Sequence, residues 1–337
     1  MSPNNSSASP ANANDTLFRN HRRYRQSLDV AFKAACLLAT VMGVVFLATV
    51  IGAVILRVLF PAEEPADHFI SMPERLSQFR SLIHRLLSNR PGIDPLETGY
   101  RVGLSGSVWL LLFVVISAVP TAVGAAVFLE EYCRQSRFKT FVQTNISNLA
   151  GVPSIVYGLL GLILFQRGFG YKSIALGPSV LAGSLTLALL ILPVIVIATQ
   201  EALRAIPQSM RAAALALGAT RWQMIRDHLL PAALPGILTG SILGVSRAIG
   251  ETAPLLMVGA AASLLKPPSG PFSRYTALPV EIYFNAKEPD PAYSTVAAGG
   301  ILILLLLLLS LNLVAIVIRR RQYARLEGNL ASLGARK

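Results

Sequence analysis

The chain has 337 residues, of which 53% are hydrophobic and only 14% charged, and its formal net charge is +13. Because soluble domains carry about 25% charged residues, this composition excludes an ordinary soluble protein and indicates burial in lipid. The basic excess indicates an anionic partner, either nucleic acid or lipid headgroups, and the distribution of the charges decides between them.

Six apolar segments are long enough to cross about 30 Å of hydrocarbon. They cover residues 32–60, 103–129, 146–166, 177–199, 235–262 and 295–318. The first segment is too long for the apolar core of a signal peptide, so we expect it to remain as a span. The sequence therefore predicts an all-α, polytopic membrane protein with six transmembrane helices.

The two ends of the chain are basic. Residues 1–31 combine a Ser- and Asn-rich start with an arginine cluster, which predicts a disordered tail, and residues 319–337 form a second basic tail. With the N-terminus inside, the inner segments hold 18 Lys plus Arg and 7 Asp plus Glu, and the outer loops hold 11 and 9. This asymmetry follows the positive-inside tendency and predicts that both termini are cytoplasmic. It also accounts for the net charge with membrane lipid as the partner and without nucleic acid.

An amphipathic helix is predicted in the outer loop, residues 61–102. Ser71 to Glu74 has the form of a helix-capping box. Apolar residues follow on one helical face, namely Leu76, Phe79, Leu82, Ile83, Leu86 and Leu87. This helix either lies on lipid or on its own bundle, or it forms a platform for a substrate-delivery protein.

The loop between the fourth and fifth spans, residues 200–234, is too apolar for a solvated linker. Its composition predicts two short helices, 208–217 and 221–230, separated by Gly218 and followed by Pro231 and Pro235. Several apolar residues then need a covering surface, on another protein or on the bundle itself: Ala213, Leu215, Leu217, Trp222 and Ile225.

This loop resembles the EAA signature of the permeases of ATP-binding-cassette (ABC) importers. Gly218, Leu230 and Pro231 match the signature, whereas Ala212 stands at its Glu position and His228 at an apolar position. The resemblance implies a type I ABC-importer permease fold, with a core at residues 103–318 and a cytoplasmic coupling helix. The implied ATPase contacts are Ala212, Ala213, Ala214, Leu215, Leu217, Gly218, Trp222 and Pro231.

The same resemblance implies a set of partner proteins. No stretch matches the phosphate-binding loop G-x-x-x-x-G-K-[ST], so ATP and Mg are expected on a separate ATP-binding subunit dimer, and no cofactor on this chain. A second homologous permease subunit and a soluble binding protein, periplasmic or extracellular, complete the implied importer. The implied location is the cell inner membrane.

Arg247 and Glu251 stand four residues apart inside the fifth predicted span. Counted from Pro235 at 1.5 Å per residue, Arg247 is roughly 18 Å along a span of about 30 Å, near its middle. An intramembrane charge costs at least about 2.5 kcal/mol, so such a pair predicts a functional site. A guanidinium matches phosphate oxygens, and Glu251 would hold it when no anion is bound. The alternative is an ion pair that only fixes helix packing.

Three short stretches resemble the PstA family of phosphate-import permeases: RAIGETAPLL from Arg247, EALRAIP from Glu201 and FLEEY from Phe128. The resemblance covers about residues 100–320, and GETAPL is closer to PstA than to its partner PstC. It implies inorganic phosphate as cargo, a PstC-like partner and a phosphate-binding protein. The implied pathway residues are Arg247, Glu251 and Thr252, with Arg204 at the cytoplasmic exit.

Other functions stay open on the residues alone. A guanidinium does not discriminate among tetrahedral anions, so sulfate or molybdate is an alternative cargo. An ion-gradient-driven secondary transporter is a second alternative, although it would not need an apolar docking loop. A membrane enzyme has little support, because the spans contain no catalytic constellation and no set of metal ligands; we expect a non-catalytic protein without a metal site.

Overall fold

The computed structural model describes residues 11–60, 72–262 and 264–334, with side chains for 28–60, 73–262 and 264–321. All regular structure within these ranges is helical. In chain order the helices are α1 (Ala11–Leu59), α2 (Met72–Ser88), α3 (Arg101–Val127), α4 (Arg137–Ala150), α5 (Ser154–Gly161), α6 (Val180–Arg204), α7 (Gln208–Ala216), α8 (Arg221–Met224), α9 (Leu230–Gly250), α10 (Ala253–Met257), α11 (Leu278–Asn285) and α12 (Ala292–Gly334). Single π-helical turns follow α3, α5 and α8, at Phe128–Tyr132, Leu162–Gln166 and Ile225–Leu229.

In the part of the chain that is described, five helical segments are long and apolar enough to cross a membrane. They are Leu28–Leu59, Arg101–Tyr132, Val180–Arg204, Arg221–Gly250 and Ala292–Arg321. A sixth crossing is available if the bent pair Arg137–Ala150 and Ser154–Gln166 counts as one span. The all-α, polytopic fold class is thus confirmed.

The chain divides into two compact units, Met1–Leu56 and Arg57–Lys337. The first unit consists of α1 up to Leu56, and α1 begins at Ala11. The prediction of a disordered tail over residues 1–31 is therefore wrong from residue 11 onward, and residues 1–10 lie outside the described ranges. Extending an existing helix is much easier than starting one, so the apolar span propagates helix back into the polar segment.

The third predicted span, residues 146–166, is not one straight helix. The chain bends by 105° between α4 and α5, at Gly151, Val152 and Pro153. Pro153 disfavours helical backbone at the residue before it and cannot donate to the ladder of α4. The Tyr157 hydroxyl donates a hydrogen bond to the Leu149 carbonyl (2.8 Å) and so holds the two arms together.

The fifth span also differs from its predicted bounds, residues 235–262. Its helix starts at Arg221, passes through the π-helical turn Ile225–Leu229 and ends at Gly250. Pro231 does not stop it, because it lies in the first turn of α9, where the π-helical turn accommodates its missing N–H. Pro254 lacks the N–H that would bond to the Gly250 carbonyl, so the ladder ends there.

Two antiparallel helices, α6 and α9, pack at unusually close range through small residues. A Cβ on Gly236 would lie 2.5 Å from the Ala202 Cβ, and a Cβ on Gly240 would collide with the Ala198 Cβ. Small residues four apart let helix backbones approach in this way inside a bilayer. The contact fixes the register of α9 along α6.

The amphipathic helix of the outer loop is present as α2. Its Leu86 side chain is fully buried and packs with Tyr100, Val296 and Leu278. At this point α2 lies on its own bundle, which agrees with the packing alternative. Ser71, the proposed cap, lies outside the described residues.

Candidate functional site

The Arg247 and Glu251 side chains form an ion pair at the end of α9. The Nε of Arg247 lies 3.4 Å from the Glu251 Oε1, and the two side chains are 43% and 20% exposed. Arg247 occupies the last turn of α9, and Glu251 follows the helix with extended backbone (φ −81°, ψ 114°). Among the described residues, Glu251 is the only hydrogen-bond partner of the guanidinium, so most of its N–H donors are available to a ligand.

The depth of this pair follows from the register of α9 on α6. A Cβ on Gly244 would lie 3.5 Å from the Ile191 Cβ, and the two helices run in opposite directions. Ile191 is near the middle of α6, about 16 Å from Val180 and about 20 Å from Arg204 at 1.5 Å per residue. Arg247 is about one turn beyond Gly244. It therefore lies roughly 12 Å along α6 from Val180 and roughly 24 Å from Arg204, within the span.

Two interrupted helices meet beside Arg247. Thr252 stands in the break between α9 and α10, and Pro254 of α10 packs against Gly158 of α5, where a Cβ would lie 2.7 Å from the Pro254 Cα. Irregular backbone at this depth leaves peptide groups that need water or ligand, as expected of a lined cavity.

Arg204 is not part of this arrangement. Its guanidinium donates to both carboxylate oxygens of Glu130, at 3.0 and 3.1 Å, at the opposite end of α6 from Val180. Lys139 lies 3.8 Å from the same carboxylate. The four predicted pathway residues therefore separate into two groups, with Arg247, Glu251 and Thr252 together and Arg204 roughly 24 Å away along α6.

An apolar groove of about 700 Å³ runs along α9 between α3 and α12. Its few polar features are Arg226 at one end, Ser241 and the Ser246–Asn312 hydrogen bond (2.5 Å). The groove reaches Pro231 in the first turn of α9. Its wall includes Ser246, the neighbour of Arg247 in sequence, but Arg247 and Glu251 are not among its lining residues.

The predicted break at Gly218 is confirmed, with φ +83°. The Gly218 N–H donates to the Leu215 carbonyl (3.0 Å), and the Ala219 N–H donates to the Ala214 carbonyl (3.1 Å). This is a Schellman motif, which ends α7 and needs a residue that tolerates left-handed backbone. Thr220 then caps α8 through the Gln223 N–H and side chain, so the two helices meet at a sharp corner.

The apolar residues of this loop divide between two surfaces. Those facing solvent are Met210, Ala212, Ala213, Leu215, Leu217 and Trp222, with Leu217 90% exposed. Ala214 and Ile225, by contrast, are buried against Leu203, Ile206 and Leu229 of the chain's own bundle. Ala214, a predicted ATPase contact, and Ile225 are thus covered by the bundle itself, which is one of the two covering surfaces considered for this loop. Met210, Ala213 and Leu217 share one exposed helical face.

The sequence analysis did not identify Arg211, which attaches α7 to the bundle. Its Nη2 lies 2.8 Å from the Glu131 Oε1, and the two side chains are 12% and 7% exposed. The available signal was the charge pattern of FLEEY: two adjacent carboxylates at the end of an apolar span need cationic partners when buried. The partner lies 80 positions away, so spacing alone does not reveal it.

A second charged group that the sequence did not single out is Glu281 in α11, outside the candidate spans. It is 3% exposed, and neither carboxylate oxygen has a hydrogen-bond partner among the described residues. The carboxyl packs on the backbone of Gly103, where a Cβ would lie 2.7 Å from the Glu281 Cδ. Burial raises the pKa of Glu281 to about 8, and the nearby Gly103 N–H only partly offsets this effect.

The model of one protein family matches residues 98–326, a range that contains helices α3 to α11 and most of α12. That family is described as the inner membrane component of binding-protein-dependent transport systems.

Two curated proteins are similar to this chain in sequence. The probable ABC transporter permease protein YqgI of Bacillus subtilis (strain 168) is 33% identical over 248 residues, which are 68% of this chain and 81% of that protein. The phosphate transport system permease protein PstA of Xylella fastidiosa (strain Temecula1) is 34% identical over 247 residues, which are 68% and 83% of the two chains.

A solved structure shares the fold. The crystal structure of a bacterial ABC transporter involved in the import of the acidic polysaccharide alginate matches with a TM-score of 0.58. The match covers 91% of this chain and 99% of that one at 15% identity, so it supports the fold alone.

Proposed function

The chain belongs to the family of inner membrane components of binding-protein-dependent transport systems, and on that premise we propose that it is the permease subunit of an ATP-driven phosphate importer. In this role it forms half of the translocation pathway and couples it to a separate ATPase. The observation that carries the proposal is the half-exposed Arg247 guanidinium within the span, which has Glu251 as its partner in the described part of the chain.

This pair suits a passing phosphate ion. A guanidinium donates through a planar fork that matches phosphate oxygens. At 3.4 Å the Arg247–Glu251 contact is long for a charged hydrogen bond, so a phosphate dianion can replace the carboxylate. Glu251 then holds Arg247 again when the ion has left, with Thr252 beside it in the helix break.

The groove along α9 supports the idea of half a pathway. It is apolar and open along one side, and an unpaired polar atom, the Ser241 Oγ, is buried in its wall. We propose that a second homologous permease subunit, PstC-like, closes the pathway beside this groove, as expected for importers with paired permeases. Phosphate then enters from a periplasmic or extracellular phosphate-binding protein.

The face of α7 that carries Met210, Ala213 and Leu217 supports an ATPase dock, since nothing in the described chain covers it. An ATP-binding subunit dimer occupies this face and binds ATP and Mg, while the permease itself is not catalytic. The excess of 18 Lys plus Arg over 7 Asp plus Glu in the inner segments supports a cytoplasmic position for both termini. The protein therefore resides in the cell inner membrane with the coupling loop 200–234 inside.

The test is ATP-dependent uptake of labelled phosphate by vesicles that contain the complete importer. We expect Arg247→Lys to lower the uptake rate at least about tenfold, because loss of one charged contact to phosphate removes about 1.5–3 kcal/mol. Glu251→Gln should also lower the rate, because the neutral amide cannot draw Arg247 away from the departing ion. Arg90→Lys is the matched control, since Arg90 is an exposed arginine of the outer loop, and it should transport at the parent rate.

Full uptake by both site variants would exclude the pair from the pathway. Transport of labelled sulfate but not phosphate by the parent would overturn the cargo and leave the permease assignment intact. Transport by this chain alone, without ATP, would overturn the permease assignment in favour of a secondary transporter.

A further inference from the structure

A buried ion pair connects the coupling helix α7 to the end of α3. Glu131 accepts from the Arg211 Nη2 at 2.8 Å and from the Nε at 3.2 Å. With side chains only 12% and 7% exposed, this pair is shielded from water and from salt. Removal of one partner would leave the other charged, buried and uncompensated, which is strongly unfavourable.

The same guanidinium reaches a third helix. Its Nη1 donates to the Ile206 carbonyl and its Nη2 to the Leu203 carbonyl, both at 2.8 Å. These carbonyls lie at and just beyond the C-terminal end of α6, where helical carbonyls lack intrahelical partners. Arg211 thus joins the end of α6, the end of α3 and α7 through one planar group.

Glu131 has a neighbour with a different set of contacts. Glu130 binds Arg204 of α6 and Lys139 of α4, whereas Glu131 binds only Arg211 among the described side chains. Both carboxylates lie in the π-helical turn Phe128–Tyr132, which continues α3. The end of α3 is therefore connected to α7 through Glu131 and, independently, to α4 and α6 through Glu130.

The position of Arg211 on α7 indicates how a force on this helix would reach the bundle. Arg211 projects toward the bundle, whereas Met210, Ala213 and Leu217 face away from it. A force applied to the outer face of α7 therefore reaches the bundle through Arg211 and through the packed Ala214. Of these two routes, only Arg211 joins α7 to α3 by charge, and α3 forms one wall of the groove along α9.

We propose that Arg211 and Glu131 are positioning residues that make the end of α3 move with α7, so that closure of the ATPase changes the groove. This inference rests on the proposed function, because it needs an ATPase on α7. A buried pair inside the permease thus has a role in coupling. The loop that carries Arg211 has Ala212 at the Glu position of the EAA signature.

The test compares phosphate carried per ATP hydrolysed in vesicles containing the complete importer. We expect Glu131→Gln to assemble with the ATPase and hydrolyse ATP but to carry at least about tenfold less phosphate per ATP. Arg211→Lys keeps the charge but loses the fork and one carbonyl bond, so its ratio should fall less. Asp227→Asn is the matched control, because the Arg226–Asp227 pair is exposed and contributes little.

A second measurement does not depend on the cargo. Hydrogen exchange at residues 128–132 of the detergent-solubilised importer should change on ATP addition in the parent and in Asp227→Asn, but not in Glu131→Gln. A parent that shows this change without carrying phosphate would refute the proposed cargo and leave the coupling role standing. If Glu131→Gln keeps the parent ratio and the parent exchange response, or loses hydrolysis and transport in equal proportion, the coupling role is wrong.

Discussion

The Arg247 guanidinium lies 3.4 Å from the Glu251 carboxylate although the helix that carries Arg247 ends at Gly250. An i,i+4 spacing suggests that both residues lie on one face of a continuous helix, but this pair does not. It spans the end of a helix, where the backbone of Glu251 and Thr252 is irregular. A change in that short break moves Glu251 relative to Arg247 without unwinding α9.

The exposure of this pair predicts that it contributes little to folding. Because the two side chains are 43% and 20% exposed, we expect the ion pair to stabilise the protein by less than about 1 kcal/mol. Arg247→Gln, Glu251→Gln and the double variant should therefore unfold within a few degrees of the parent in detergent. A large loss of thermal stability in either single variant would indicate the alternative role, in which the pair fixes helix packing.

The close contact of α6 and α9 predicts a strong size limit at Gly240. Gly240→Ala places a Cβ against the Ala198 Cβ and should destabilise the protein by about 1–3 kcal/mol, as overpacking of a tight contact does. The measurement is thermal unfolding in detergent. Gly124→Ala is the matched control, because Gly124 is also helical but has open space around its Cβ position. Equal stability of both variants would contradict the close packing.

The exposed face of α7 predicts a defect in assembly without a defect in folding. Leu217 is 90% exposed, so Leu217→Glu should leave the melting temperature of the isolated permease unchanged. The same variant should reduce copurification of the ATPase about tenfold or more, because the introduced carboxylate would lose its water at the contact between α7 and the ATPase. Leu96→Glu, on an exposed leucine of the outer loop, should copurify like the parent. Unchanged copurification with Leu217→Glu would place the dock elsewhere.

Glu281 predicts a dependence of stability on pH. Its pKa in the folded protein is raised to about 8 from an ordinary value of 4.5, mainly by burial. The folded protein then keeps a proton that the unfolded chain releases, so stability is greatest below pH 4.5 and falls as the pH rises towards 8. The slope should approach about 1.4 kcal/mol per pH unit within that window.

The titratable group that interacts with Glu281 is Tyr100, whose own pKa is raised, chiefly by burial. Thermal unfolding between pH 4.5 and 8 measures the effect, and Glu281→Gln should remove the corresponding part of the slope. Glu288→Gln, on an exposed glutamate beyond α11, should keep the parent slope. An identical slope in Glu281→Gln and the parent would show that Glu281 is ionised in the folded protein.

Several features of the site were predictable because they depend on neighbouring residues. The break at Gly218 needs only a glycine after an Ala- and Leu-rich helix, and the exposed Leu217 and Trp222 follow from their place in that loop. The predicted end of a helix before Pro231 was wrong for an equally local reason. A proline is tolerated in the first turn of a helix, and a π-helical turn before it supplies the remaining adjustment.

The contacts that join distant parts of the chain were not predictable in this way. Ile225 looks like a surface residue of a loop helix, yet it is fully buried because α8 folds back on the bundle. The sequence places Arg204 at the end of a span, but does not show that Glu130, 74 positions away, binds it. Sequence periodicity reports which residues share a helical face, and it carries no information about which helix lies opposite.

By itself the sequence determined the apolar spans, the coupling loop and the presence of one Arg–Glu pair among apolar residues, because hydropathy and turn chemistry act over a few neighbouring positions. Only the tertiary structure decided that Gly244 of α9 lies level with Ile191 of α6, that Arg204 stands apart from Arg247, and that Arg211 binds Glu131. These depend on the register of α9 on α6, which is set by close packing of glycine and alanine between residues far apart in the chain.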